Sequence, residues 1–468
     1  MSFTSQNFLF FLTVIFAVYY LVPHKFRWAL LLIGSLFFYA CSGFILYILA
    51  TIITTYIAGI LLEKKRSRLV VTAWFIINAG WLLMVKIPSF GLLMPLGISF
   101  YTFQSASYIL DLYRKKTQIE RNPLKLALFV SFFPQIIQGP ISRHNDLAQT
   151  LFNPQEFSIA NISYGMRRIL WGFFKKLVIA DRLLPAIKLM SASTETFTGG
   201  YAALNVLLYA VVLYADFTGG IDITIGIARF FGVRVSENFN KPFYSANIAE
   251  YWRRWHITMG TWFRDYLFYP LSVCRPMRRF SKISRHYLGN NFGKRLPVYI
   301  TTIVTWFATG LWHGATANFI AWGLANGLVI ILSQECEPLY KHFHTKFTFS
   351  NSRYYHGFAI VRTFLLMCAI RSFDIYAGVG TTLHMLFSMF RPWHAVIIDI
   401  GLPMQNWLVA ALGVMLLIIA GHEEPRRRFE SLNPVAKLSL CLLFLCVIIV
   451  FGVYGYGYDA NQFIYNRF

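Results

Sequence analysis

The chain has 468 residues, of which 56% belong to the apolar set AVILMFWYC, 18% are aromatic and only 13% are charged, with a mean hydropathy of +0.51. Soluble domains carry about 25% charged residues, so the composition excludes a water-soluble enzyme, a disordered protein and a disulfide scaffold and leaves a polytopic membrane protein. The 43 Lys and Arg outnumber the 20 Asp and Glu, a formal charge of +23 that would point to nucleic acid on a soluble chain but here is read against a bilayer.

Residues 1–62 hold two charged side chains, Lys25 and Arg27; residues 69–112 hold Lys86 and Asp111; residues 297–334 hold none. A helix crossing the hydrocarbon needs about 20 largely apolar residues, so each stretch contains one to three crossings. Predicted spans begin near Asn7, Trp28, Phe44, Leu69, Leu93, Tyr164, Tyr201, Pro297, Asn318, Tyr355, Pro403 and Ala436. The predicted fold is all-α, with about eleven transmembrane helices plus re-entrant or interfacial pieces. Residues 124–140 and 374–402 are apolar but interrupted by Pro or charge, and are predicted not to span.

Basic residues gather in short connections: Lys64, Lys65, Arg66 and Arg68, then Arg114, Lys115, Lys116 and Arg121, then Arg426, Arg427 and Arg428. Short loops rich in Lys and Arg stay in the cytoplasm. Placing the first two clusters inside puts His24–Arg27 inside, the N-terminus outside and the tail after Tyr454 outside. Most of the +23 is thereby topology, and nothing in the chain resembles a nucleic-acid-binding module. No basic region precedes the first apolar segment, so no cleaved signal peptide is expected. The six cysteines are scattered without metal or disulfide spacing, and no metal site is expected. One membrane domain over 1–468 is expected: N-terminal helices over 1–240, a cytoplasmic basic segment over 241–295, and C-terminal helices over 296–468.

Residues 241–295 hold eleven Lys and Arg against two acids, Glu250 and Asp265, too many charges for a span. Within them, on a single helix over Glu250–Tyr269, Trp252, Trp255, Met259, Trp262 and Tyr266 form one aromatic stripe. Arg253, His256, Gly260 and Arg264 gather opposite, within about 80° of arc at about 100° per residue. That pattern fits an amphipathic helix at the cytoplasmic interface. The alternative is a cationic lip whose Arg side chains recognise a phosphate-bearing ligand. A further series, Arg275, Arg278, Arg279, Lys282, Arg285, Lys294 and Arg295, contains no acid and suits anionic lipid or a nucleotide-like ligand.

His313 sits alone in the uncharged window. Thr305, Thr309 and His313 share one helix face, a polar track leading to the imidazole, and Gly310 and Gly314 flank it so that a backbone or ligand can approach closely. An ionisable group at membrane depth is costly and marks function by default, and histidine suits a general base near neutrality. A structural histidine bonded to a neighbouring helix explains the same residue. Asp216 and Asp222, in YADFTGGIDITIG, are predicted beside a glycine kink. They serve an ion or proton relay, or else helix packing and capping.

In order along the chain, PLGISFYTFQSASYILDLYRK (95–115), FFPQIIQGPISRHNDL (132–147), YADFTGGIDITIGIARFFGV (214–233), ENFNKPFY (237–244), YWRRWHITMGTWFRDYLFYPL (251–271), GLWHGATANFIAWGLANG (310–327) and the closing FIYNRF resemble the membrane-bound O-acyltransferases. The branch they resemble is that of the bacterial alginate O-acetyltransferase membrane subunits. Residues 336–435 match weakly, with only IRSFD around Arg371 suggestive, and Met259-Gly260 stands where a Leu-Ser pair is usual.

The resemblance implies helices around a central funnel and tunnel in the bacterial cytoplasmic membrane. It implies acyl transfer from a cytoplasmic thioester, acetyl-CoA, to a hydroxyl presented from outside. His313 matches the family's invariant histidine, the general base, and His256 a supporting or relay histidine. On electrostatic grounds Arg253, Arg254 and Arg264 are donor-phosphate candidates. Trp252 and Trp255 join them on the donor side, and Trp312, Thr305, Thr309 and Asp265 are assigned to the substrate pocket. Expected partners are membrane lipids, an extracytoplasmic acetyltransferase and a polysaccharide as final acceptor. The competing readings are a carrier-dependent D-alanyl transferase of the same superfamily, a transporter or flippase, and a purely structural subunit.

Overall fold

The computed structural model describes all residues except 154, 392–398, 422–427, 430, 456, 460–462 and 464–468. Arg426, Arg427 and all of FIYNRF but Phe463 lie outside the described residues, as does part of the tail after Tyr454. Among the described residues all regular structure is helical. Six helices are long and apolar enough to cross a membrane: Ile45–Lys64, Arg68–Lys86, Gly200–Phe230, Ala317–Glu335, the segment Arg353–Asp374, and Pro434–Phe451. Gln6–Leu21 and Met404–Ala420 are shorter apolar helices.

Most helices begin within a few residues of the predicted points, and the two that differ most do so because of their caps. The span expected near Leu93 starts at Ile98, since Gly97 precedes it in the left-handed conformation (φ 66) and the chain through Pro95 is not helical. The span expected near Tyr164 starts at Ile159, where the Ser158 hydroxyl accepts from the Asn161 N–H at 3.3 Å. Residues 124–140 form two short helices, Pro123–Ser131 and Phe133–Ile136, and the described part of 374–402 contains Val379–Ser388. At about 1.5 Å per residue none of these reaches across a bilayer.

The chain divides into two compact units, one comprising 1–188, 211–237 and 399–468, the other 189–210 and 238–398. In the first, helix Ile159–Phe173 packs against the 211–230 portion of Gly200–Phe230 through two reciprocal glycine contacts. A Cβ on Gly165 would lie 2.6 Å from the Gly226 carbonyl oxygen, and one on Gly172 would lie 2.6 Å from that of Gly219. The converse distances are 2.5 Å and 2.9 Å. The first glycine of one helix meets the last of the other, so the pair runs antiparallel with backbones in contact, the use of small residues expected in lipid.

The same seam carries the buried charges. Lys175 and Lys176 occupy a π-helical stretch, Phe174–Ala180, whose widened turn places both ammonium groups inward. Lys176 pairs with Asp181 at 2.8 Å and Asp216 at 2.6 Å, and Lys175 with Asp222. Arg168 bridges Asp222 at 2.5 Å and Glu237 at 2.9 Å. Gly200–Phe230 is one continuous helix of 31 residues, and Gly219 and Gly220 lie within it without a break. The two glycines serve close approach, Gly219 to the Gly172 carbonyl and Gly220 to the Gln138 side chain. Asp216 and Asp222 are counter-ions of a packed interface.

In the second unit, Leu296–His313 and Ala317–Glu335 form an antiparallel hairpin over the short connection 314–316. It closes on two glycines: a Cβ on Gly323 would lie 3.1 Å from the Gly310 Cα and would strike the Trp306 carbonyl oxygen. The close approach predicted at Gly310 is therefore to the partner helix of the hairpin. Asn318, in the first turn of the returning helix, donates to the carbonyls of Phe373 (3.2 Å) and Tyr376 (2.7 Å), which ties the hairpin to the segment that carries Arg371.

Candidate active site

The first histidine block is not one helix. Ile248–Arg254 ends at Trp255 (φ −103, ψ 128), His256 adopts a left-handed conformation (φ 46, ψ 54), and Ile257–Phe263 begins anew, followed by the π-helical Arg264–Phe268. The cause lies upstream. The Asn240 N–H donates to the Arg254 carbonyl at 2.9 Å and the Ile257 N–H to the Asn238 carbonyl at 3.0 Å, so the non-helical segment around 238–240 captures backbone groups that a continuous helix would use itself. A non-glycine residue held in that region costs about 1–3 kcal/mol and persists where its surroundings over-determine it.

The break removes the predicted division of faces. Trp255, Met259, Trp262 and Tyr266 are buried in protein and Trp252 is half-buried, so the stripe is not displayed to headgroups. His256, expected beside the cations, is 0% exposed.

Three groups donate to one oxygen at His256. Asn238 Oδ1 accepts from the Thr258 N–H (3.0 Å) and the Thr258 hydroxyl (2.9 Å), which identifies that atom as the oxygen, and it lies 3.3 Å from His256 Nδ1. We assign the imidazole proton to Nδ1 on this network, leaving the lone pair on Nε2. Burial, reinforced by the Arg371 charge, pushes the His256 pKa down to about 3, so the ring is neutral at physiological pH.

His313 is the last residue of its helix and 4% exposed. Phe319 stacks on it with centroids 6.1 Å apart and planes at 20°, while Trp322 (4.7 Å, 76°) and Trp312 (4.9 Å, 76°) meet it at near right angles. Trp312 also lies 5.9 Å from the His256 ring, so one indole contacts both histidines. Gly314 keeps the Phe319 ring close, because a Cβ there would strike it.

Behind this box stands Arg371, 4% exposed. Its guanidinium lies 4.9 Å from the Trp255 ring, 5.0 Å from Trp322 and 5.6 Å from Trp252, and it pairs with Asp374 at 3.0 Å. A planar cation can stack on several indoles at once in a way an ammonium cannot. Trp322 therefore touches both Arg371 and His313.

The remaining predicted residues are placed as follows. Thr305 and Thr309 are buried on the His313 helix, and their hydroxyls donate to the carbonyls of Thr301 (2.7 Å) and Thr305 (2.8 Å). Those protons satisfy the helix's own backbone. Arg254 is held by Glu250 at 2.6 Å and Arg264 by Asp265 at 2.8 Å, whereas Arg253 is exposed and in no ion pair among the described residues. Of the three guanidinium groups, Arg253 is the one presented to solvent without an acidic neighbour. Trp252 donates its indole N–H to Asn326 Oδ1 at 3.1 Å.

Sequence reasoning missed Asn238, Phe319, Trp322 and Arg371 as parts of the site. Each stood inside a quoted motif (ENFNKPFY, GLWHGATANFIAWGLANG or IRSFD). None carries a spacing signal that ties it to a histidine many residues away.

Comparison with known proteins places the chain. A model of the membrane-bound O-acyltransferase family matches residues 120–377. The probable alginate O-acetylase AlgI of Azotobacter vinelandii is 36% identical over 355 residues, covering 70% of this chain and 67% of that one. The peptidoglycan O-acetyltransferase of Helicobacter pylori is 33% identical over 300 residues (58% and 54%), and the teichoic acid D-alanyltransferase of Bacillus subtilis 29% over 310 (64% and 71%). The chain thus spans about two thirds of the length of the alginate O-acetylases that it matches. With both histidine blocks inside the matched region and several helices apolar enough to cross a bilayer, the chain belongs to the membrane-bound O-acyltransferase family and is a multi-pass membrane acyltransferase.

Proposed function

We propose that this acyltransferase moves acetyl groups from cytoplasmic acetyl-CoA to a hydroxyl presented on the outer side of the bacterial cytoplasmic membrane, for O-acetylation of an envelope polysaccharide or exopolysaccharide. The observation that carries the reading is His313, buried at a helix end among Phe319, Trp322 and Trp312 in a chain of this family. Greater similarity to O-acetylases than to the D-alanyltransferase favours acetyl as the group transferred.

A thioester carbonyl is already activated, so the protein has to align a hydroxyl and remove its proton. His313 accepts the hydroxyl proton as the acceptor oxygen bonds to the acetyl carbonyl carbon. The C–S bond then breaks, and the proton passes to the departing CoA thiolate. The imidazolium formed on the way sits at the carbonyl end of its helix, where the helix dipole favours positive charge. The aromatic walls keep water from competing for the acetyl group. His256, neutral and with its lone pair on Nε2, supports the donor side through Trp312. Arg253 meets the donor's phosphates. The acceptor hydroxyl belongs to an extracytoplasmic acetyltransferase partner that passes acetyl to the polysaccharide. The N-terminus lies outside, following the basic loops.

The test is thiol release from acetyl-CoA by purified protein in bilayers, wild type against His313→Ala at equal folded amount. Equal release by both ends the proposal. Release that requires a D-alanyl carrier protein moves the chain to the D-alanyl branch.

A further inference from the structure

Residues 241–295 look like one basic surface in the sequence, but the structure separates them. Arg275–Gly293 is a helix of its own, regular as far as Leu288 and broken at Gly289 (φ 74, ψ 164). The chain then folds back, so that the Ser284 hydroxyl donates to the Gly293 carbonyl at 2.6 Å. At about 100° per residue, Arg275, Arg278, Arg279, Lys282, Arg285 and His286 fall within roughly 120° of arc. All six are exposed, and none takes part in an ion pair among the described residues. The apolar positions Met277, Phe280, Ile283, Tyr287 and Leu288 fill the other side. Ile283 is 56% exposed, Tyr287 77% and Leu288 49%.

A helix with one face of unpaired cations and the other of uncovered large apolar side chains matches neither of two familiar environments. Water would solvate the cations but not Ile283, Tyr287 and Leu288. The hydrocarbon interior would accept the apolar face but not five Lys and Arg in eleven residues. The boundary between them satisfies both. A soluble phosphate ligand fits poorly, because the cations from Arg275 to Arg285 are spread over about 15 Å of a convex helix side. A nucleotide could meet two neighbours at a time, whereas a sheet of headgroups meets them all.

We infer that Arg275–Gly293 is a lipid-docking helix that lies on the membrane surface and binds anionic phospholipid, its Ile283–Tyr287–Leu288 face sunk into the acyl boundary. This assigns the acid-free basic series from Arg275 to Arg285 to the bilayer and leaves Arg253 as the cation for the donor. The inference stands apart from the acetyl-transfer reading and survives its failure.

The test uses the full chain in nanodiscs of phosphatidylcholine, with or without phosphatidylglycerol, and reads amide hydrogen exchange over 275–293. Phosphatidylglycerol should slow exchange in this helix several-fold, and high salt should reverse the effect. The triple variant Arg278→Glu, Arg279→Glu, Lys282→Glu should show no difference between the two lipids. If that variant fails to insert, the salt titration of the wild type decides the matter alone. Equal exchange in both lipids overturns the proposal. So does protection produced in neutral nanodiscs by adenosine 3′,5′-bisphosphate, which would make the face a soluble-anion site.

Discussion

Asn238 Oδ1 lies 3.3 Å from His256 Nδ1, and the same segment accepts the Ile257 backbone N–H that a helix through Trp255 would have used. One residue thus both breaks the helix and sets the tautomer of the histidine at the break. Asn238→Ala should leave the Thr258 N–H and His256 Nδ1 without their acceptor. The expected loss is about 1–3 kcal/mol per stranded buried donor, read as a lowered thermal midpoint. Asn238→Asp, which keeps the acceptor, should lose less; a midpoint equal to that of wild type in Asn238→Ala would contradict the geometry.

His256 also predicts a pH dependence. Its folded pKa of about 3 lies below the ordinary histidine value of 6.5, so between these two values the unfolded chain binds more protons than the folded one. Stability should therefore be fully present above about pH 6.5 and fall as the pH is lowered towards 3, by up to about 1.4 kcal/mol per pH unit from this group. His256→Asn, whose side chain tolerates left-handed backbone, should flatten that segment of the profile. An unchanged slope in this variant would place the titration elsewhere.

At His313, substitution by Ala or Gln should reduce the acetyl-transfer rate about 10²–10⁴-fold, the range for loss of a general base, with little change in KM for the donor. Tryptophan fluorescence would monitor whether Trp312 and Trp322 remain packed. A large rise in KM at constant kcat would recast His313 as a binding residue.

The three indoles around Arg371 predict that charge alone does not suffice there. Arg371→Lys keeps the positive charge but loses the planar stack on Trp252, Trp255 and Trp322. It should lower kcat about tenfold, near 1.4 kcal/mol in the barrier, by releasing Trp322 from His313. Arg371→Met strands the buried Asp374 carboxylate and should cost about 3–5 kcal/mol of stability. Wild-type kcat in Arg371→Lys would show that the stack is packing alone.

The glycine seam supplies a matched pair of substitutions. Gly172→Ala places a Cβ 2.6 Å from the Gly219 carbonyl and should destabilise by about 1–3 kcal/mol. Gly80→Ala, in a helix where a Cβ meets nothing within 4 Å, should be neutral or stabilise by up to about 1 kcal/mol. Unfolding in a denaturing detergent series compares the two, and the same sign in both would remove the backbone-contact argument.

Much of the fold was legible because lipid makes its demands on composition: a charge-free run of adequate length declares a helix, and most starts were found to within a few residues. His313 stood out because it is the one histidine in a window free of Asp, Glu, Lys and Arg. The break at His256 was hidden, since the 3-4-3-4 spacing of Trp252 to Tyr266 is that of a continuous helix and the competing bonds come from Asn238 and Asn240. Arg371 was hidden for a related reason: a cation 49 residues beyond Trp322 announces nothing until the fold brings indoles around it. The fate of Asp216 was equally illegible, for its lysine partner belongs to a π-helical turn that hydrophobic periodicity does not mark.

Gly165, Arg168, Gly172 and Lys176 recur on one face of their segment, as Asp216, Gly219, Asp222 and Gly226 do on the facing helix. Contact points and ion pairs therefore share a common ruler. Inserting a single residue between Gly165 and Gly172 would turn the remainder by about 100°, and would carry a glycine off its carbonyl and a lysine off its aspartate together. Length changes that leave this arrangement intact are confined to the connections, so insertions and deletions in homologues should accumulate in loops and stop at the two ends of this pair.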